Sequence, residues 1–426
     1  MTSRIPGFYK LDPDQRLAAL AQSSAVPTDC LERYRSEGLT LQEADLMVEN
    51  VISTFALPNA VAVNFRLNGN DLFVPMVVEE PSVVAAVSNM ARLARDSGGF
   101  RADADAGVMI GQVQLVDVAD VPGTIACIEA AREDLLAQVA NVHPRLTERG
   151  GGLRGLQVRH VRYEEPGYPS EDMVVVHFLL DCVDAMGANM VNTVAERLAA
   201  PIEALTGCRV ALRILSNLAD QRLARAEVAV PASVFGPDGE RVAADMASAW
   251  RFAWADPYRA ATHNKGVMNG IDAVCLATGN DWRAVEAGVH AYAARDGQYR
   301  PVTSWRYADG VLRGRIEVPL QLGVVGGPIK VHPTVQSNLA MMGVRTARQL
   351  AGITAAVGLA QNMGALKALS TEGIQAGHMR MHARTVAATA GASPAEVAAV
   401  TQRLCGDGEY SVERARVHLE SIRGSK

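Results

Sequence analysis

A helix with glycine and asparagine in its interior needs a reason from outside itself, and one stretch of this chain demands such a reason. Tyr258-Arg-Ala-Ala-Thr-His-Asn-Lys-Gly-Val-Met-Asn-Gly-Ile-Asp reads as a helix, breaks at Gly279, and gives way to a second helix from Asp281. Ala260, Ala261, Asn264, Gly266, Asn269 and Gly270 stand where an ordinary helix carries Leu and Glu. Interior glycines and asparagines cost roughly 0.5–1 kcal/mol each against Ala. The pattern makes sense where another backbone or a ligand approaches closely. In its middle sits Lys265, one of five lysines in a 426-residue chain that otherwise uses Arg. A lysine can give up its proton when desolvated, and an arginine cannot. Taken alone, Asp281 is equally a helix N-cap and Lys265 a solvated cation. Together, on helices with so little other charge, they predict a buried Lys–Asp pair.

The rest of the composition narrows the class. Apolar residues make up 49% and charged residues 20%, with a net charge of -5, which describes an ordinary globular protein of two or three domains. No Lys/Arg block stands out to neutralise phosphates, so nucleic acid is not expected as a partner. The six cysteines are scattered singly, which predicts reduced thiols in a cytoplasmic protein and no zinc ribbon. No apolar leader follows Met1 and no eighteen apolar residues run together, so neither a secretion signal nor a membrane span is expected.

In chain order, Thr40-Leu-Gln-Glu43 is a capping-box helix start. Two β-branched runs, 60–67 and 72–78, flank Asn68-Gly69 and predict a hairpin. The second run ends in Glu79-Glu80-Pro81-Ser82, ahead of a helix that stops at Gly98-Gly99. Pro81 suits the first helical turn, and acids there suit the positive end of a helix dipole. Adjacent acids at a strand-to-helix junction also present a carboxylate to a cleft. Residues 107–216 then change character: strand, helix 124–142, two strands, helix 185–205 and a last strand. That β-α-β-β-α-β order is the ferredoxin-like split unit, inserted between segments of different composition. Asp184-Ala-Met-Gly-Ala-Asn189 opens its second helix, where backbone N–H groups would suit a pyrophosphate, although an ordinary capped turn reads the same way. No G-x-G-x-x-G follows a strand, so a Rossmann domain is not expected. Beyond it come a strand pair turning at Asp309-Gly310, a glycine-rich loop Gly323–Gly327, and helices to the end. His378 and His382 lie i, i+4 on one of these. A metal pair there lacks a third ligand, so no metal is expected.

The set Glu49-Asn-Val-Ile52, Val78-Glu-Glu-Pro-Ser82, Asp184-Ala-Met-Gly-Ala-Asn189, His263-Asn-Lys-Gly-Val-Met-Asn-Gly270, Gly279-Asn-Asp281 and Gly377-His-Met379 resembles the 3-hydroxy-3-methylglutaryl-coenzyme A (HMG-CoA) reductase family, in its soluble bacterial class II form, over essentially the full length. The resemblance implies an α+β fold. A large helix-rich substrate domain (1–106 and 217–374) would hold an inserted βαββαβ nucleotide-binding domain (107–216) and end in a mobile C-terminal helical flap (375–426). It implies an active site shared in an obligate homodimer, possibly assembled further.

The implied reaction interconverts HMG-CoA and mevalonate plus coenzyme A by two hydride transfers, through a hemithioacetal and mevaldehyde. Lys265 would stabilise the oxyanion, oriented by Asp281; Glu80 would protonate the aldehyde oxygen; His378 would protonate the departing thiolate. By the same resemblance Ser82, Arg259, Asn269 and Gln361 contact the acid end of the substrate, and Asp184, Met186, Gly187 and Asn189 line the nucleotide site. NAD(H) is expected over NADP(H), because a 2′-phosphate wants an Arg nearby and the Asp184 turn offers an acid and no basic neighbour, the nearest candidates being Arg149 and Arg154. Three departures stand out: Val183 where relatives carry Gly, Val324 where they carry Thr, and Ser53-Thr54 where Gly is common. Two other readings share these residues: a reductase of another branched acyl-CoA thioester, and an inactive CoA-binding or assembly protein.

Overall fold

The computed structural model describes residues 2–23, 28–35, 38–371 and 373–424, with side chains at all of these except 28, 328 and 374–381. Among the described residues ten strands form two sheets. They are β1 (Asn59–Leu67), β2 (Asn70–Val77), β3 (Phe100–Ala104), β4 (Val108–Val116), β5 (Gly152–Tyr163), β6 (Glu171–Asp181), β7 (Arg209–Ser216), β8 (Leu223–Pro231), β9 (Thr303–Ala308) and β10 (Val311–Pro319). The larger sheet runs β2-β1-β3-β8-β10-β9 and the smaller β5-β6-β4-β7.

Both expected hairpins form, and for the expected reason. Asn68 (φ 50°) and Gly69 (φ 79°) both take the left-handed conformation between β1 and β2, and Asp309 (φ 53°) and Gly310 (φ 72°) do so between β9 and β10. Two consecutive left-handed residues make the turn whose twist matches the strands it joins. In the smaller sheet every neighbouring pair is antiparallel, and its order is that of the ferredoxin-like unit. Its first helical segment is shorter than the expected 124–142. Val121–Ala130 and Arg132–Val139 are separate helices that meet at Ala131 (φ −92°, ψ 9°). Met109, Val113, Val176, Phe178, Val194 and Leu198 build a core of its own.

The larger core is organised on the helix Ala347–Leu369, in which sixteen residues are buried, from Ala347 through Leu366. A helix apolar all round belongs inside a protein. The helix Pro257–Ala277 lies against it at contact distance. A Cβ on Gly270 would stand 3.1 Å from the Val357 carbonyl oxygen and 3.0 Å from Gln361 Cβ, and one on Gly358 would stand 2.9 Å from Ile271 Cγ1. Gly270 and Gly358 permit this approach, and the first lies in the stretch whose glycines and asparagines predicted a close neighbour. Their propensity cost of about 1 kcal/mol each is smaller than the roughly 1.5–3 kcal/mol gained per buried Leu, Ile or Val side chain.

A carboxyl pair joins the Pro257–Ala277 helix to the next one, Trp282–Ala293. Asp272 faces Glu286, whose Oε2 lies 2.5 Å from His290 Nε2, and His290 Nδ1 in turn lies 2.6 Å from the Tyr299 hydroxyl. Burial, with the Glu286 carboxylate beside it, pushes Asp272 up to about 9, while the bond from His290 holds Glu286 below its usual range.

The C-terminal helices Ile374–Thr389, Pro394–Asp407 and Val412–Gly424 gather around a small cluster of Ala383, Val386, Ala387, Val400, Leu404 and Leu419. Gly377, read in the sequence as a hinge, lies inside the first of them. The glycine with left-handed backbone is Gly373 (φ 82°), just before that helix begins. Among the described residues no helix is long and apolar enough to cross a membrane.

Gly270→Val forces two branched methyls into the Val357 and Gln361 contact, so the thermal midpoint should fall by several degrees, equivalent to about 1–3 kcal/mol; calorimetry checks this. A second expectation concerns pH. The folded chain keeps the Asp272 proton up to about 9 while an ordinary carboxyl releases it near 3.8. Its contribution is therefore complete at low pH and is lost as pH rises through that window. Asp272→Asn removes this term, so the variant should gain stability relative to the parent between about pH 5 and pH 8, read as the difference in thermal midpoints.

Candidate active site

The backbone around Lys265 is fixed from beneath. Asp256 caps the helix, accepting from Tyr258 N at 3.1 Å, and Pro257 occupies the first turn. About two turns on, Asn264 donates to the Arg300 carbonyl at 2.9 Å and accepts from Val302 N at 3.0 Å. His263 Nε2 lies 2.6 Å from Thr303 Oγ1, which donates to Asn362 Oδ1 at 3.0 Å, and Trp305 Nε1 donates to the same oxygen at 2.8 Å. With the Thr303 proton on Asn362, His263 must donate from Nε2, so its tautomer is set and Nδ1 is left a buried acceptor with no partner. Burial, with Arg259 nearby, pulls His263 down to about 3. The imidazole is thus a neutral anchor and not a proton carrier.

These inward anchors turn Lys265 outward. Its Nζ donates to Glu80 Oε2 at 3.0 Å, with the lysine side chain 62% exposed and the glutamate 36%. The sequence reading of a buried Lys265–Asp281 pair is thereby corrected. Asp281 caps the next helix, accepting from Ala284 N at 3.1 Å, and pairs with Arg283 at 3.2 Å. The reason is geometric: Glu80 sits three residues past the end of β2, and that strand end reaches the lysine.

Glu80 leads into an unusual turn. Ser82 takes a left-handed conformation (φ 80°, ψ −23°) and is the N-cap of the helix Val83–Arg95, yet its side chain caps nothing. Pro81 therefore precedes the cap and lies outside the first helical turn expected for it. Ser82 Oγ is buried and has no hydrogen-bond partner, and Gln361 Oε1 is in the same condition on the central helix. Each such orphan costs about 1–3 kcal/mol, which points to a ligand as the missing partner. Gln361 adjoins Gly270, and Asn269 is one turn from Lys265, so these polar groups share one region. Arg259 is half-buried and has no carboxylate partner among the described residues; burial pulls its guanidinium down. His378 is a residue of the helix Ile374–Thr389, but its side chain lies outside the described residues.

The expected nucleotide seat is a second strained turn. Val183, a β-branched residue, is left-handed at φ 52°, a conformation that favours the Gly the resemblance led one to expect there. Its N–H is held by Asp181 Oδ1 at 3.0 Å. Gly187 (φ 104°) begins the helix Ala188–Thr206 with no side-chain cap. A Cβ there would stand 2.3 Å from Cys182 Sγ, so only glycine fits and the first N–H groups of the helix stay available to an anion. The Asp184 carboxylate is turned away from this, accepting from Ala347 N at 2.9 Å. Met186 is half-buried and Asn189 exposed at the start of the helix.

Two residues that sequence reasoning passed over tie these parts together. Asn280 accepts from Gly323 N at 2.7 Å and donates to Gly323 O at 3.1 Å. Arg222, 5% exposed, donates to the carbonyls of Ala185 and Met186 at 3.1 and 3.2 Å and to that of Leu322. The signal for Asn280 was its place in Gly279-Asn-Asp281; Arg222 carried none. Among the described residues no cluster of three His, Cys, Asp or Glu suits a metal ion.

Comparisons with known proteins meet this geometry. The family model described as hydroxymethylglutaryl-coenzyme A reductase matches residues 12–383. A 3-hydroxy-3-methylglutaryl-coenzyme A reductase of Archaeoglobus fulgidus is 46% identical over 424 residues, 99% of this chain and 95% of that one. A probable reductase of the same name from Borreliella burgdorferi is 34% identical over 80% of this chain and 77% of its own. A solved reductase of Streptococcus pneumoniae superposes with a TM-score of 0.83 at 39% identity, covering 98% of this chain and 99% of that one. A second structure from that organism, of the class II enzyme bound to NADPH in open conformations, gives 0.81 at 39% identity and covers 97% and 100%.

That NADPH overturns the expectation of NAD(H) as the main cofactor with NADP(H) the lesser. The charge argument rested on the turn's own residues and set Arg149 and Arg154 aside, whereas the fold brings Arg154 to Asp181, just before that turn, at 2.8 Å. With its fold, its motifs and its relatives in agreement, the chain belongs to the hydroxymethylglutaryl-coenzyme A reductase family.

Proposed function

We propose that this chain interconverts HMG-CoA and mevalonate plus coenzyme A through a hemithioacetal and mevaldehyde, using NADPH, the nucleotide bound by the solved relative. The observation that carries the reading is the Lys265–Glu80 pair at 3.0 Å beside two orphaned polar atoms, Ser82 Oγ and Gln361 Oε1. The nucleotide supplies hydride when bound. Each addition leaves charge on a carbonyl oxygen, and Lys265 Nζ, projected from a fixed backbone, donates to it. Glu80, in contact with that ammonium, hands a proton to the aldehyde oxygen. Asp281 is assigned to the site by resemblance, at the start of the next helix beside Arg283, and His378 to protonate the departing thiolate so that it does not re-add. Ser82, Arg259, Asn269 and Gln361 take the hydroxyl and carboxylate end of the substrate; the unmet hydrogen bonds of Ser82 and Gln361 support this.

Asp184, Met186, Gly187 and Asn189 form the nucleotide seat, supported by the uncapped helix start at Gly187. In this reading 107–216 is the nucleotide-binding domain, 1–106 and 217–374 the substrate domain, and 375–426 the flap. A homodimer with a shared site is part of it. Leu46, Ile52 and Phe55, 84%, 92% and 90% exposed, flank the Glu49-Asn-Val-Ile52 motif, and a second copy of the chain is the cover that fits them. The six free thiols support a reducing, cytoplasmic setting.

Oxidation of NADPH on addition of HMG-CoA tests the activity. Lys265→Ala should keep the fold and most thioester binding while lowering turnover by a factor on the order of 10² or more, as for loss of an oxyanion donor. Near-parental turnover in both directions would remove the oxyanion role. His378→Gln should depress HMG-CoA reduction and spare reduction of free mevaldehyde, which has no thiolate to protonate. Equal loss in both reactions would make the histidine a general binding group instead.

A further inference from the structure

We propose that Asn280 and Arg222 are positioning residues that lock the nucleotide-binding turn 184–187 to the turn carrying Asp281, acting through the segment 322–325. The inference rests on the assignment of 184–187 as the nucleotide seat. One turn follows β6 of the smaller sheet and the other joins the helices Pro257–Ala277 and Trp282–Ala293; they are far apart in sequence, yet one short segment joins both. On one side, Val324 N donates to the Asp184 carbonyl at 2.9 Å, and Ala185 and Val325 form a parallel bridge. A Cβ on Gly323 would stand 2.7 Å from Met186 N, so the two backbones touch with no room for a side chain. On the other side, the Asn280 amide grips both polar atoms of the Gly323 peptide residue, at 2.7 and 3.1 Å, and Nδ2 also donates to Thr278 Oγ1 at 3.0 Å. Asp281 is the next residue.

Arg222 closes the unit from below. Its guanidinium bonds three carbonyls, two on the nucleotide turn and one at Leu322, and at 5% exposure it is sealed from solvent. Neither side chain has hydrogen-bonding capacity left that a ligand could reach: the Asn280 carbonyl and amide are both engaged, and Arg222 is covered. Their effect on a bound molecule must therefore pass through backbone. A charged guanidinium held by three carbonyl dipoles also fixes those carbonyls more firmly than neutral donors would. The consequence is mechanical. The nucleotide seat and the Asp281 turn move as one body, so seating the nucleotide and setting Asp281 are a single event.

The test uses the full chain with Asn280→Ala, Asn280→Asp and Arg222→Met. Binding of NADPH is followed by its fluorescence, independently of turnover, and kcat and KM are measured for HMG-CoA. Asn280→Ala should weaken NADPH about fivefold or more and lower kcat about tenfold, with the KM for HMG-CoA within about twofold and the thermal midpoint within a few degrees. Asn280→Asp keeps the acceptor for Gly323 N–H but sets an anionic oxygen against the Gly323 carbonyl, and should do no better than Ala. Parental NADPH affinity and kcat in Asn280→Ala would overturn the proposal. So would a parallel shift of both substrate terms together with a large loss of stability, which is the signature of a purely structural residue. If Arg222→Met does not fold, the Asn280 variants decide alone. If the parent binds NADPH but reduces no HMG-CoA, the functional reading fails, while the NADPH titrations still decide the clamp.

Discussion

The approach of two helices at Gly270 and Gly358 is the constraint on which the site depends. Because a Cβ at Gly270 would press on the Val357 carbonyl, Pro257–Ala277 and Ala347–Leu369 sit closer than side chains would allow. That closeness carries His263 and Asn264 to β9 and its approach, where they are hydrogen-bonded on the inner side. Lys265 is the next residue and has one direction left. The ion pair with Glu80 does not hold it there: an exposed pair is worth about 0–1 kcal/mol. Three hydrogen bonds, two buried and one part-buried, at roughly 1 kcal/mol each, with the desolvation cost of breaking them, outweigh it. The lysine is therefore fixed at its backbone and loose at its tip, which suits the oxyanion role proposed for it.

Strain is concentrated at the same two places. Ser82 and Val183 are both left-handed without being glycine, at a cost of order 1–3 kcal/mol each. One leads from Glu80 into its helix and the other leads into Asp184. Neither conformation would persist without support: Val83 and Val87 anchor the first turn in the large core, and Asp181 holds the second by its carboxylate. Stability gathered in two well-packed cores is spent at two turns.

Features that obey local rules were legible in the sequence. Asn-Gly and Asp-Gly turns determine their own backbone, and the ferredoxin-like order follows from strand and helix succession. The glycine-rich helix announced a close neighbour. What could not be read were the partners. Lys265 meets Glu80 and not Asp281 because β2 stops where it does, a fact of sheet register across 185 residues of chain. Gly377 looked like a hinge by composition, but a glycine within a helix is only a weak residue, and the left-handed one is Gly373. The cofactor argument failed similarly: it weighed the charges of one turn, while Arg154 meets Asp181, just before that turn, from 27 residues away.

The two departures at the nucleotide loop, Val183 and Val324, lie on one structural seam. Val183 precedes Asp184, whose carbonyl accepts from Val324 N. The seam is made of backbone: peptide N–H to carbonyl, an isolated bridge at Ala185 and Val325, and guanidinium to carbonyl. A side chain at 324 contributes to none of these bonds, so exchanging Thr for Val leaves the seam whole. At 183 the exchange costs strain but no bond, since the Val183 N–H still reaches Asp181. Gly323 and Gly187 are different. A Cβ at either would displace Met186 N or Cys182 Sγ. Substitution is tolerated along the seam wherever only a side chain changes, and excluded wherever the backbones themselves must touch.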